Sequence, residues 1–312
     1  MSDVHSALSA AVEGVIAEGL ANPLVTDILC DTNSAVMFDY LDGRREKAGE
    51  VTPPRLGAII DRIAGMSGKT QDDPVWAGGL LEAEFPLDGS RVQAWKPPLV
   101  HSPSLVIRIH RRQGENRPGI DAFGLVPTYR DVIEHIVRQR LNALIVGSTG
   151  SGKTTLLGAV MDLIGEDDRV VTIEDTFELY CRSKSWLALH STPLITQRML
   201  LKSALRALPT WIIVGEARDE VAIDLTESLT TGHPGLSTTH SGSCELGLSR
   251  VHQLCRGAKT PEMVAAAFQY VIEMRRKPPP DGSRYVHAIC EVHGYSDGRF
   301  QLTPIASLEK VA

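Results

Sequence analysis

The sequence predicts an α/β protein in two parts, a small α+β domain over residues 1–112 and a larger domain with a mostly parallel sheet over 129–312. Three observations carry this. After residue 129, near-continuous Val/Ile/Leu runs alternate with helical stretches, the pattern of a parallel sheet covered on both faces. Before residue 112, short β-forming runs broken by Gly and Pro accompany two helical patterns. Between them, "QGENRPGIDAFGLVPT" (113–128) is rich in Gly, Pro and polar residues without a sustained period, the composition of a linker.

Length and composition fit this frame. A chain of 312 residues has ample interior for two domains. With 43% hydrophobic and 22% charged residues it reads as globular, neither disordered nor fibrous. A net charge of −6 weighs against tight nonspecific nucleic-acid binding, which needs a dense positive surface. The opening "MSDVHSALSAAVEG" lacks the basic stretch and apolar core of an export signal, and no apolar run approaches the ~20 residues that span a bilayer. Five scattered cysteines without a CxxC pair point to a reduced, cytoplasmic protein.

The elements follow in order. Val4, Leu8, Val12, Val15, Ile16 and Leu20 fall at helical spacing until Asn22-Pro23. "VTDILC" (25–30) and "AVMFDYL" (35–41) read as strands. "PPRLGAIIDRIAG" (53–65) reads as a helix with prolines in its first turn. "LLEAEF" (80–85), "RVQAW" (91–95) and "SLVIRIHR" (104–111) are β-rich. In the second part, "YRDVIEHIVRQRL" (129–141), "KTTLLGAVMDLI" (153–164) and "MLLKSALRAL" (199–208) are helical. "NALIVG" (142–147), "RVVTIED" (169–175), "TWIIVGE" (210–216) and "GLSTTH" (235–240) are strands. The tail "RYVHAICEVHGYSDGRFQLTPI" predicts a hairpin turning at Asp297-Gly298.

Ser-Gly-Lys-Thr occurs twice, at 67–70 and 151–154. A phosphate-binding loop needs a Gly five positions before the Gly-Lys, a strand leading in and a helix leading out, so that backbone N–H groups converge on the phosphates. The second copy meets all three requirements: Gly147-Ser148-Thr149-Gly150-Ser151-Gly152-Lys153-Thr154 lies between "NALIV" and "TTLLGAVMDLI". In the first copy Ile63 stands at the glycine position, inside a helical pattern. A bare GK[ST] arises by chance in about one chain in seven of this length, so 65–70 reads as a helix end. One phosphate site is expected, for ATP with Mg²⁺. The amides of 149–154 would cradle the phosphates, with Lys153 neutralising β/γ charge. The Thr154 hydroxyl would ligate Mg²⁺, and Thr155 would extend the contact toward the α-phosphate.

Two further strands end in carboxylates. "WIIV" (211–214) runs into Gly215-Glu216, and "VVTIEDTFEL" (170–179) supplies Glu174, Asp175 and Glu178. Glu174 and Glu216 are the candidates for activating water and for holding the metal through water, in either division of labour. Glu178 reads as structural or exposed. "TGHPGLSTTH" (231–240) offers His233 and His240, which lack a third ligand at metal spacing and read as a phosphate sensor or hydrogen-bonding switch.

These boxes, in this order and spacing, resemble the traffic ATPases of type II and type IV secretion, pilus biogenesis and conjugation. "PLDGSRVQAWKPP" (86–98) and "SPSLVIRIHRR" (102–112) look like the conjugal-transfer and type IV secretion branch. The resemblance covers roughly residues 20–300. It implies a RecA-like phosphate-loop ATPase domain behind the N-terminal domain, a homohexameric ring, and inner-membrane channel proteins as partners that attach it to the membrane. It also implies N-terminal-domain arginines that reach the γ-phosphate, here Arg91 and Arg108, with Arg206 and Arg218 also at family positions. The function implied is an ATP-driven motor for secretion or conjugation. The alternatives are a pilus or type II secretion motor, or a nucleotide-gated scaffold with little hydrolysis. Two departures stand out: Pro209-Thr210 replaces the family's Pro-Asp, and the six residues between the histidines match the pilus and type II pattern more closely.

Overall fold

The structure, a computed structural model, describes residues 12–70, 72–84, 90–109, 117–192, 194–278 and 281–306. Residues 4–11 of the expected first helix, and 86–89 and 110–112 of the quoted N-terminal boxes, lie outside that set. Contacts divide the chain into two compact units, Met1–Arg112 with Pro278–Gly282, and Gln113–Lys277 with Ser283–Ala312.

The first unit holds helices α1 (Val15–Ala21), α2 (Pro53–Met66) and α3 (Pro74–Ala77). Its strands are β1 (Val25–Cys30), β2 (Ala35–Tyr40), β3 (Arg45–Glu50), β4 (Leu80–Glu84), β5 (Arg91–Trp95) and β6 (Ser104–Arg108). The strands form one sheet in the order β3-β2-β1-β6-β5-β4, antiparallel throughout. Ile28, Phe38, Val92, Leu105 and Ile107 pack with Ile16, Leu56, Ile59 and Ile60 of the helices in a single core. β3, "REKAGE", was not expected as a strand. It is an edge strand whose residues are nearly all exposed, so no apolar alternation marks it, and its charges discourage pairing with another chain.

The first Ser-Gly-Lys-Thr is a helix end. The Ser67 hydroxyl donates to Ile63 O at 2.9 Å, Gly68 turns left-handed at φ 74°, and Lys69 pairs with Asp73 at 2.8 Å.

In the second unit the strands are β7 (Ala143–Gly147), β8 (Arg169–Glu174), β9 (Ser185–His190), β10 (Trp211–Val214), β11 (Gly235–His240), β12 (Tyr270–Arg276), β13 (Arg284–Ser296) and β14 (Arg299–Pro304). Their helices are α4 (Pro127–Arg138), α5 (Lys153–Met161), α6 (Gln197–Ala204), α7 (Val221–Thr230), α8 (Cys244–Leu254) and α9 (Pro261–Ala267). The sheet order is β14-β13-β12-β7-β11-β10-β8-β9, parallel from β12 to β9 and antiparallel through β13 and β14. Alternate residues of β7 enter two cores. Ala143 and Ile145 pack with Ile133 and Ile136 of α4 and Leu156 and Val160 of α5. Leu144 and Val146 pack with Leu201 of α6, Leu225 of α7, Leu248 of α8 and Val264 of α9. Burial on both faces explains the unbroken apolar runs.

The β13–β14 hairpin turns through Asp297 (φ 52°) and Gly298 (φ 76°), the two left-handed residues that a tight twisted turn requires. Of the expected linker 113–128, residues 113–116 lie outside the described set and 117–128 group with the second unit. There Ile120 and Phe123 are buried in its core, and Arg117 bonds Asp162 and the Tyr180 carbonyl.

At the N-terminal end of this sheet, buried Asn142 ties three segments together. Its Nδ2 donates to Ala267 O at 2.8 Å and Leu229 O at 3.5 Å, and its Oδ1 accepts from Gly235 N at 2.9 Å.

Candidate active site

Parallel strands of an open α/β sheet deliver their C-terminal ends to one edge, where ligands bind. At that edge β7 ends in Gly147, flanked in register by His240 of β11 and Met274 of β12. A Cβ on Gly147 would stand 2.6 Å from the Met274 carbonyl and would also strike the Ser151 hydroxyl, so only glycine fits. Gly150 (φ 76°) and Gly152 (φ 93°) take the left-handed conformation that curls the loop into α5. The loop therefore has the form that turns successive N–H groups inward, and a buried Ser151 Oγ without a hydrogen-bond partner among the described residues lies within it. These features fit a bound phosphate chain.

Lys153, the first residue of α5, is 7% exposed. Its ammonium donates to Gly147 O at 3.1 Å and Ser148 O at 3.0 Å, and meets His240 Nδ1 at 3.1 Å. Burial lowers its pKa to about 8, against the pull of the Glu216 and Glu178 carboxylates. An ammonium can only donate, so His240 Nδ1 accepts and its proton sits on Nε2, which faces Glu216 Oε1 at 3.5 Å. Burial and the nearby ammonium hold the imidazole below its ordinary range, while Glu216 opposes them. Lys153, His240 and Glu216 thus form a chain from the loop to the end of β10. Thr154 is half-buried and Thr155 is buried, both in the first turn of α5. Thr154 and Glu216 supply hard oxygen donors of the kind Mg²⁺ takes.

Glu174 ends β8 and is 3% exposed. Its Oε1 accepts from the Glu178 and Leu179 amides at 3.0 and 2.9 Å, while its buried Oε2 has no partner among the described residues. Burial raises its pKa to about 7, only partly offset by those two amides. Gly215 lies beside it: a Cβ there would stand 3.1 Å from Glu174 Cγ. Glu178 is exposed and Asp175 pairs with Arg218, which leaves Glu174 as the buried carboxyl of its box.

What holds Glu216 in place was not anticipated. Three buried hydroxyls of β11 fix the turn that carries it. Ser237 donates to Val214 O at 2.8 Å, Thr238 to Gly215 O at 2.8 Å and Thr239 to Ala217 O at 3.2 Å. The string "STT" between an apolar residue and His240 was the available signal.

The two histidines part company. His240 ends β11 at this edge, whereas His233 precedes the strand's start at the opposite end, about 17 Å of strand away. Of the two expected roles, phosphate sensor or hydrogen-bonding switch, the first is left to His240, because His233 lies away from the loop edge. Thr210 lies at that far end too, where its Oγ1 donates to Arg169 O at 3.1 Å, so the Pro-Asp departure falls outside the edge that holds the phosphate loop. Arg206 is exposed in the 3₁₀ turn after α6.

In the first unit, Arg91 and Arg108 are cross-strand partners on the exposed face of the sheet. Arg108 Nε pairs with Asp27 at 2.9 Å. They belong to the same open groove, with Asp27 and Glu82.

A family model described as "Type II/IV secretion system protein" matches residues 59–289. The chain belongs to that family. The family match spans Arg91, Arg108, the phosphate loop, Glu174, Glu216 and His240. Among relatives, the chain is 30% identical over 301 residues to the conjugal transfer protein TrbB of Rhizobium radiobacter, covering 93% of this chain and 91% of that one. It is 30% identical over 264 residues to a type IV secretion system protein PtlH homologue of Bordetella bronchiseptica, covering 74% and 77%. The X-ray structure of the Legionella pneumophila ATPase DotB superposes with a TM-score of 0.64 at 23% identity, over 86% of this chain and 76% of that chain, which shows a shared fold.

Proposed function

We propose that this protein is the ATP-hydrolysing, Mg²⁺-dependent motor of a type IV secretion or conjugal transfer system. It works as a homohexamer at the inner face of the inner membrane. One observation carries this reading. A phosphate loop, a buried carboxyl with a pKa of about 7 and a second carboxylate chained to the loop lysine converge on a single sheet edge.

The division of labour between the carboxylates follows from their surroundings. Glu174 has one oxygen held by two amides and one buried oxygen unpartnered, and its affinity for a proton is matched to neutral pH. Such a group is suited to accept a proton from water attacking the γ-phosphate. Glu216 is half-exposed and linked to His240, and with Thr154 would hold Mg²⁺. The metal supplies charge neutralisation at the phosphate oxygens. Lys153 binds the β/γ oxygens, His240 reports their presence to Glu216, and Arg91 and Arg108 bring guanidinium charge to the γ-phosphate.

Among the described residues no helix is long and apolar enough to cross a membrane, so attachment is assigned to inner-membrane channel partners. The test is phosphate release by the assembled oligomer with and without Mg²⁺. Wild type should turn over and a folded Lys153→Ala oligomer should not. A Lys153→Ala protein hydrolysing at the wild-type rate refutes the assignment.

A further inference from the structure

Beyond the residues assigned above, β12 and β13 carry two arginines to the phosphate loop. β12 stays in register with β7 up to Met274 opposite Gly147, so Arg276 lies two residues past the point where β7 gives way to the loop. Arg284, the first residue of β13, is its cross-strand partner. The stem of Arg284 lies against the loop: a Cβ on Gly152 would stand 2.7 Å from its Cδ, and one on Gly150 would stand 4.0 Å from an Arg276 guanidinium nitrogen. The Nε of Arg284 is buried and has no hydrogen-bond partner among the described residues.

We propose that Arg284, seated with Arg276 against the loop, binds the α- and β-phosphates of the nucleotide from the side opposite Glu174 and Glu216. The inference rests on the nucleotide reading of the loop and adds to it. The sheet order sets the side: β11, β10 and β8, with His240, Glu216 and Glu174, lie on one flank of β7, and β12 and β13 lie on the other. A γ-phosphate facing the carboxylates leaves the ribose-proximal phosphates nearest the arginines. Two guanidiniums in directly opposed positions repel each other, and Arg284 is pushed below its ordinary range by burial and by the Arg276 charge. A phosphate held by the loop within reach of the Arg284 guanidinium gives its Nε an acceptor.

The bland alternative is that the Arg284 stem merely packs Gly152. Titration of fluorescent ADP and of a non-hydrolysable ATP analogue, with melting curves of the unliganded protein, separates the two. Arg284→Gln should weaken both ligands by the same factor, about tenfold to a hundredfold. The unliganded melting temperature should hold or rise, and Arg284→Lys should recover part of the affinity. Wild-type ADP affinity in Arg284→Gln, alongside lost binding in Lys153→Ala, overturns the proposal and leaves the nucleotide site standing. A loss confined to the ATP analogue overturns the α/β assignment. A lowered unliganded melting temperature, with affinity that Lys does not recover, identifies a packing role and also overturns it. A wild-type protein that binds neither ligand removes the nucleotide reading itself.

Discussion

Glu174 uses one oxygen to hold the turn at 178–179 and keeps the other bare in a dry setting, and that asymmetry sets its proton affinity. As a base it acts deprotonated, so kcat/KM should rise with pH through about 7. In its proposed phosphate-binding role Lys153 acts protonated, so kcat/KM should fall through about 8. The expected profile is a narrow bell. In kcat the alkaline arm should move upward, because bound phosphates hold the ammonium's proton. A flat profile between pH 5 and 9 contradicts both roles. Glu174→Gln should cut hydrolysis at least about a hundredfold. The stability sign is opposite: the folded pKa of Glu174 lies above its ordinary 4.5, so ionisation costs stability as pH rises from about 4.5 to about 7. Melting temperatures of Glu174→Gln should therefore gain on wild type between pH 4 and pH 8.

The strands that could be read from the sequence were those with a period or a motif. β7, β8 and β10 are largely apolar and run into chemistry-bearing residues, β11 ends in His240, and the hairpin announced its turn at Asp297-Gly298. What escaped did so for physical reasons. β3 is polar because it is an exposed edge. β12 follows α9 with only Phe268 and Gln269 between them, in the apolar run "VAAAFQYVI", where periodicity cannot mark the change from helix to strand. Missing β12 hid Arg276 and Arg284, which are distant in sequence from the loop they flank. The hydroxyls of β11 escaped because Ser and Thr in a strand look like ordinary β-formers. Their importance is testable. Thr238→Val keeps the shape but leaves the Gly215 carbonyl without its hydroxyl donor, and should cost about 1–3 kcal/mol in urea unfolding. Because Gly215 precedes Glu216, turnover should fall while ADP affinity stays near wild type.

Among the described residues the units do not share a buried core: Ile60 lies in that of the first, and Ile145 in one of the two that flank the sheet of the second. Unfolding should accordingly show two transitions by calorimetry rather than one. Ile60→Ala and Ile145→Ala should each lower a different transition, by about 2–5 kcal/mol. A single transition shifted equally by either change argues against independent cores. Arg91 and Arg108 belong to the first unit and the phosphate loop to the second. Alanine at both arginines should depress phosphate release by the oligomer while ADP still binds; lost ADP affinity would place them elsewhere in the cycle. Asn142 has a consequence of another kind. Because one amide staples the chain at the sheet margin remote from the phosphate loop, that margin is where the protein can be made sturdier by substitution without retuning its chemistry. The loop margin grants no such freedom, since its glycines, hydroxyls and charges are already committed.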